Sequence, residues 1–126
     1  MVKERETDGI RLAQLLASEL EGHEQGPLGP LVVTNAVAAA DLRPLSDLAR
    51  AYDVERDGEH IARVFVHPDR AHVEFEVGLD AVVASADEAN LRVRPKATEP
   101  PKALVFIEDG AQVKWILDVF AAAVEA

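Results

Sequence analysis

Two rhythms of apolar positions run along the chain. Ile10, Ala13, Leu16, Ala17 and Leu20 recur at intervals of three and four, which predicts a helix with one buried face. Thr7 or Asp8 can cap its free N–H groups, and Gly22 can end it. Residues 22–30 are Gly- and Pro-rich and read as a loop, with Leu31-Val32-Val33 a strand beyond it. Residues 38–50 are ambiguous: Pro44 interrupts them, and Ser46-Asp47-Leu48 could start one helical turn.

From Ala51 the rhythm shortens to two. Ala51 to Glu55 reads as a strand, and Asp57-Gly58 is the preferred pair for a two-residue type I′ hairpin. Ile61 to His67 follows, then a turn at Pro68-Asp69-Arg70-Ala71. In the next strand, His72 to Val77, Val73, Phe75 and Val77 alternate with His72, Glu74 and Glu76. Asp80 can cap a helix reaching about Ala89, with Val82, Val83 and Ala86 inward and Asn90 at its end. Leu91 to Lys96 reads as a strand with Arg92, Arg94 and Lys96 on one side. Residues 97–102 form a stiff loop around Pro100-Pro101. Ala103 to Ile107 is apolar throughout, which predicts a central strand buried on both faces.

Asp109-Gly110-Ala111-Gln112 resembles a capping box opening a last helix to about Val124. Val113, Ile116, Leu117, Phe120 and Val124 form its stripe, widened by Trp115, Val119 and Ala122. An arc this wide predicts a buried Trp115, with contact to another subunit as the alternative. The whole predicts one α+β domain over residues 1–126, the first six flexible. Its helices (N-terminal, middle and C-terminal) pack on a mostly antiparallel sheet of five or six strands.

Register turns this pattern into a surface. A four-residue loop at Pro68–Ala71 places His67 opposite His72, Phe65 opposite Glu74 and Arg63 opposite Glu76. Cross-strand partners share a face, so Val64, Val66, Val73 and Phe75 form the core side. The Asp57-Gly58 hairpin places Tyr52 opposite Arg63 and Val54 opposite Ile61, all four on the second face. The second face then carries Tyr52, Arg63, Phe65, Arg92, Arg94 and Lys96 beside His67, His72, Glu74 and Glu76. A one-residue slip would exchange the two faces.

Aromatic rings among cations on an open sheet suit protein contact, including self-association, or single-stranded nucleic acid, whose bases stack while the cations hold phosphates. The plain reading is a solvated face on which Glu74 and Glu76 neutralise the arginines, each pair contributing about 0.2–1 kcal/mol.

Charge changes how this face is read. The chain of 126 residues carries 23 Asp+Glu against 13 Lys+Arg, a formal net charge of -10, and nine of those 13 cations are Arg. Such a surface keeps a protein soluble in concentrated salt and repels itself in dilute buffer. In molar salt the Debye length is about 3 Å, so a partner must be held by contact rather than steered from afar. Against this acidic background the basic second face is the exception.

Chemistry-bearing motifs are sparse. With no cysteine there is no disulfide, thiolate or Cys-metal chemistry. His67 and His72 beside Asp69 are weak candidates for a metal site, short of the three or four ligands zinc prefers. His60 has the opposite parity and joins them only through a bulge; His23 lies in a loop. G-x-S-x-G, Walker A, H-E-x-x-H and G-x-G-x-x-G are absent, and the three serines have no nucleophile context. No cofactor is expected, and the reading leans away from an enzyme, with a small enzyme of unrecognised type as a remaining alternative. The charged N-terminus has no apolar signal region and the longest apolar run is Val119–Val124, so a cytoplasmic protein without membrane attachment is expected.

The stretches Val64-Phe-Val-His-Pro-Asp-Arg-Ala-His-Val-Glu-Phe75 and Leu91-Arg-Val-Arg-Pro-Lys-Ala-Thr-Glu-Pro-Pro-Lys102 resemble a group of small acidic haloarchaeal proteins with no assigned function. The resemblance extends over most of the chain and implies a high-salt habitat. It implies no activity, cofactor or catalytic residue.

Overall fold

In a computed structural model, residues 8–22, 26–38, 42 and 49–126 are described. Residues 1–6, expected to be flexible, His23 and the helical turn expected at Ser46-Asp47-Leu48 lie outside them.

Helix α1 spans Gly9–Glu21, where Leu12, Ala13, Leu16 and Leu20 face the core. The Asp8 side chain accepts a hydrogen bond from the Arg11 backbone N–H at 3.1 Å, satisfying one of the donors a helix start leaves free. Strands β1 (Leu31–Thr34), β2 (Ala49–Arg56), β3 (Glu59–Val66) and β4 (Ala71–Phe75) follow. Helix α2 (Leu79–Glu88), β5 (Val93–Lys96), β6 (Lys102–Ile107) and α3 (Gly110–Glu125) complete the chain. The expected α+β architecture is present: the six strands form one antiparallel sheet in the order β1-β2-β3-β4-β6-β5.

Helix ends follow local chemistry, with one correction. Asp80 does not cap α2; it sits in the first turn, where a carboxylate still favours the helix dipole. The cap is Gly78 at φ +59, a left-handed conformation that glycine adopts without steric cost. At the other end Asn90 takes φ +60, the Leu91 N–H reaches Ala86 O and the Asn90 N–H reaches Asp87 O. This is the Schellman pattern, which satisfies the last carbonyls. Asp109 accepts from the Gln112 N–H at 3.1 Å as expected, while the Gln112 side chain reaches one residue further back, to the Glu108 N–H at 2.7 Å.

The β2–β3 hairpin departs most from expectation. Asp57 and Gly58 both have positive φ, as a type I′ turn demands. The expected register holds at both ends, with Arg56 opposite Glu59, Glu55 opposite His60 and Arg50 opposite Phe65. Between them it shifts by one: Ile61 on β3 and Ala51 on β2 have no cross-strand partner, and each marks a β-bulge. Inside that window Tyr52 faces Val64 and Asp53 faces Arg63. Tyr52, Val54 and Ile61 therefore join the core, not the face expected for them.

The β3–β4 register differs by two residues from expectation, with Val66 opposite Ala71, Phe65 opposite His72 and Arg63 opposite Glu74. The His67 N–H bonds Arg70 O at 2.8 Å and closes the loop there. A two-residue slip keeps parity, so both faces keep the membership expected for these strands.

All three helices contribute to the core on one side of the sheet. Val64, Val66, Val73, Phe75, Val105 and Ile107 meet Leu16, Val82, Ile116 and Phe120 there. Phe75 and Phe120 pack with ring centroids 4.8 Å apart. Trp115, expected in the core, is 44% exposed. Val113, Ile116, Phe120 and Ala123 already complete the inward stripe, and Trp115 falls off it.

Candidate functional site

Among the described residues, no helix covers the second sheet face. Its side chains form three rows that cross the strands. One runs Arg50, Phe65, His72 and Phe106, with Arg92 beside Phe106 through the Phe106 N–H to Arg92 O bond. The next runs Thr34, Asp53, Arg63, Glu74, Leu104 and Arg94. The last begins with Val32, Glu55 and His60 and ends with Lys102 and Lys96; Glu76, whose N–H bonds Ile61 O, lies between them.

Of the residues expected here, Arg63, Phe65, Arg92, Arg94 and Lys96 share this face. Tyr52 does not: the Ala51 bulge turns it toward α1, where its hydroxyl donates to Ala13 O at 2.6 Å. Burial pushes its phenol pKa upward, and Glu21 adds to that.

Two knots of side chains cross the face, the first of them ionic. Asp53 is nearly buried; it accepts from Asn35 at 2.9 Å and from Arg50 at 3.1 Å. Burial works to raise its pKa, but the Asn35 hydrogen bond and the Arg50 charge outweigh it and hold the carboxyl below its usual range. His60 sits between two carboxylates, with Nδ1 2.9 Å from Glu76 Oε2 and Nε2 3.6 Å from Asp53 Oδ1. The Ile61 bulge supplies the parity change His60 needed. Arg63 Nε lies 3.7 Å from Glu76 and 4.0 Å from Asp53.

The second knot is aromatic. His72 is 1% exposed and stacks on Phe65 with ring centroids 5.0 Å apart and planes 13° from parallel. His67 Nε2 meets His72 Nδ1 at 2.9 Å, and Glu74 bridges toward Lys102 at 3.1 Å. Burial lowers the His67 pKa, and Arg70 lowers it further. Phe106 lies 5.5 Å from His72, with the Arg70 and Arg92 guanidinium groups each 5.9 Å from its ring centroid. Among the described residues, no group of three or more His, Asp or Glu side chains is arranged to hold a metal ion. Asp69, expected beside the histidines, turns to Arg70 at 3.0 Å.

Sequence reasoning missed Phe106 and Leu104, which stand on this face and are each 8% exposed. The expectation that β6 is buried on both sides is met, but on the second face the cover comes from side chains such as Arg70 and Arg92. A run without alternation carries no signal for which residues face which way. Lys102 and Arg50 were also missed, lying in segments read as loop or ambiguous.

A family model described as a family of unknown function, DUF7993, matches residues 1–126. The chain belongs to DUF7993. No curated protein and no solved structure matches it. In this DUF7993 member two clefts lie on the helix side of the sheet. One, of about 200 Å³, lies between α1 and the β1–β2 edge and is lined by Ile10, Ala17, Val33, Val37 and Tyr52. The other, of about 490 Å³, lies between Leu79 and Val83 of α2 and Pro95, Pro101 and Ala103. Among the described residues, no helix is long and apolar enough to cross a membrane.

Proposed function

We propose that this protein is a non-enzymatic protein-interaction or regulatory module of a salt-rich archaeal cytoplasm, and that the uncovered sheet face is its recognition surface. The observation that carries the reading is the one-sided layering. Three helices contribute to one face, and the other presents an ordered array of cations, carboxylates and phenyl rings. Its salt bridges and stacks hold many of these side chains in place before a partner arrives, so less side-chain entropy is lost on binding.

A protein partner suits the face better than a nucleic acid. Phe106 is 8% exposed beneath two arginines, and Phe65 is already stacked on His72, so neither ring is a free platform for bases. Asp53, Glu55, Glu74 and Glu76 stand between the cations, where they would repel phosphates. The salt-rich setting is supported by the net charge of -10 and by the excess of Arg over Lys among the basic residues.

Affinity capture in molar KCl tests the reading, with wild type and the Arg94→Glu/Lys96→Glu variant as baits. Both residues are exposed, so the fold is retained. Wild type should retain identifiable proteins that the variant loses; identical captured sets overturn the proposal. Saturable binding of labelled single-stranded RNA in the same salt, abolished by Arg92→Glu, would favour the nucleic-acid alternative.

A further inference from the structure

The uncovered face is complementary to itself. The sheet has an even number of strands, and its midline falls between β3 and β4. When two copies meet face to face, their two-fold axis lies in the plane of contact. An axis parallel to the strands at the midline lays β3 on β4, β2 on β6 and β1 on β5, and keeps each row of side chains over itself.

The rows then match in charge. In the last row Glu55 comes over Lys102 of the second copy, His60 over Glu76, and exposed Val32 over the Lys96 stem. In the middle row Arg63 comes over Glu74. In the first row Phe65 comes over His72, and Arg50 over Phe106, whose ring already accepts guanidinium contacts within its own chain. Glu55, Glu74 and Glu76 thus meet cationic or titratable groups, while Asp53, already held by Asn35 and Arg50 of its own chain, comes over Leu104. The ladder registers place these groups, with Glu76 fixed by its N–H to Ile61 O bond.

We infer that the occupant of this face is a second copy of the same chain, packed face to face about a two-fold axis parallel to the strands. The inference rests on the face being a recognition surface and adds the identity of the partner. Area sets the strength. Six strands about 4.8 Å apart and about five residues long make a plate near 28 by 17 Å, so a pair buries roughly 1,000 Å². That is the lower edge of specific interfaces, so a weak, reversible dimer is expected. Charge matching selects the register, while covering Val32, 48% exposed, and half-buried Phe65 supplies apolar contact.

Thiol cross-linking tests the geometry, because the chain has no cysteine of its own. In one protomer β2 and β6 are separated by β3 and β4, about 14 Å, whereas facing sheets stand about 10 Å apart and their inward side chains are nearer still. A bifunctional thiol reagent too short for the gap within a protomer can therefore join the thiols of the Glu55→Cys/Lys102→Cys variant only between copies. In molar KCl it should give a covalent dimer, while Lys114→Cys, exposed on α3, stays mostly monomeric. Val32→Cys/Lys96→Cys is a second pair with the same expectation. Sedimentation of wild type should show a concentration-dependent dimer that Arg94→Glu/Lys96→Glu weakens about tenfold.

A wild type that stays at 13.6 kDa at about 0.1 mM, where even weak dimers form, overturns the inference, as does trapping no faster than the Lys114→Cys control. If that monomer still captures a different identified protein through Arg94 and Lys96, the recognition surface stands and only the second copy is refuted. If it captures none, both fall.

Discussion

His67 Nε2 lies 2.9 Å from His72 Nδ1, so one of these nitrogens must donate to the other. That hydrogen bond needs at least one of the two rings to be neutral. Burial, reinforced by His67 and opposed by Glu74, lowers the His72 pKa from 6.5 to about 4. Below pH 6.5 the unfolded chain takes up a proton that the folded chain refuses until about pH 4. Stability is therefore complete above pH 6.5 and declines as pH falls through that window. At about 1.4 kcal/mol per unit the loss is on the order of 3 kcal/mol. Guanidinium midpoints measured from pH 7.5 to 4.5 should fall for wild type. His72→Phe keeps a ring on Phe65 and should flatten that slope; an equal slope in both proteins would assign it to other groups.

A second prediction concerns backbone contact. At Gly9 an added methyl would collide with the carbonyl oxygens of His67 and Arg70, where the start of α1 presses on the β3–β4 loop. At Gly78 it would meet the Ala123 backbone in a residue whose φ is +59. At Gly26, φ +77, it would meet nothing within 4 Å. Gly9→Ala and Gly78→Ala should each cost about 1–3 kcal/mol through overpacking, with Gly78 the worse for its strained φ. Gly26→Ala should stay near 1 kcal/mol or less, because a stiffer unfolded chain offsets the strain. Thermal unfolding of the three variants checks the order.

The third prediction tests the Ala51 bulge. Tyr52 is 5% exposed and its hydroxyl bonds Ala13 O at 2.6 Å. Tyr52→Phe should cost about 0.5–1.5 kcal/mol by chemical denaturation. It should leave capture by the sheet face unchanged, because Tyr52 lies on the other side. Unchanged stability together with lost capture would place Tyr52 on the second face and refute the bulge.

The fourth prediction weighs two effects of salt. Screening weakens exposed pairs such as Arg92 with Glu108, 3.5 Å apart, each worth about 0.2–1 kcal/mol. Screening also relieves the self-repulsion of a net charge of -10, which acts on the whole compact state. The second effect should win, so the melting temperature should rise from dilute buffer to molar KCl. A flat or falling curve would refute the high-salt reading.

Local chemistry alone determined much of this protein. The apolar periods located all three helices, Asp57-Gly58 specified its turn, and Asp8 and Asp109 marked helix starts, because each depends on residues only a few positions apart. Alternation also separated the faces of β4 and most of β3, and a two-residue error in register left that division intact. The side of Tyr52 and the company of His60 depended on two bulges, which arise where neighbouring strands and α1 must fit together. Strand order was equally a tertiary matter: β6 lies between β4 and β5, which brings Phe106 against His72 and Lys102 against Glu74. A run such as Ala103–Ile107 has no period by which to choose a face, so only the neighbours on either side decide which of its side chains meet the helices and which join the charged array.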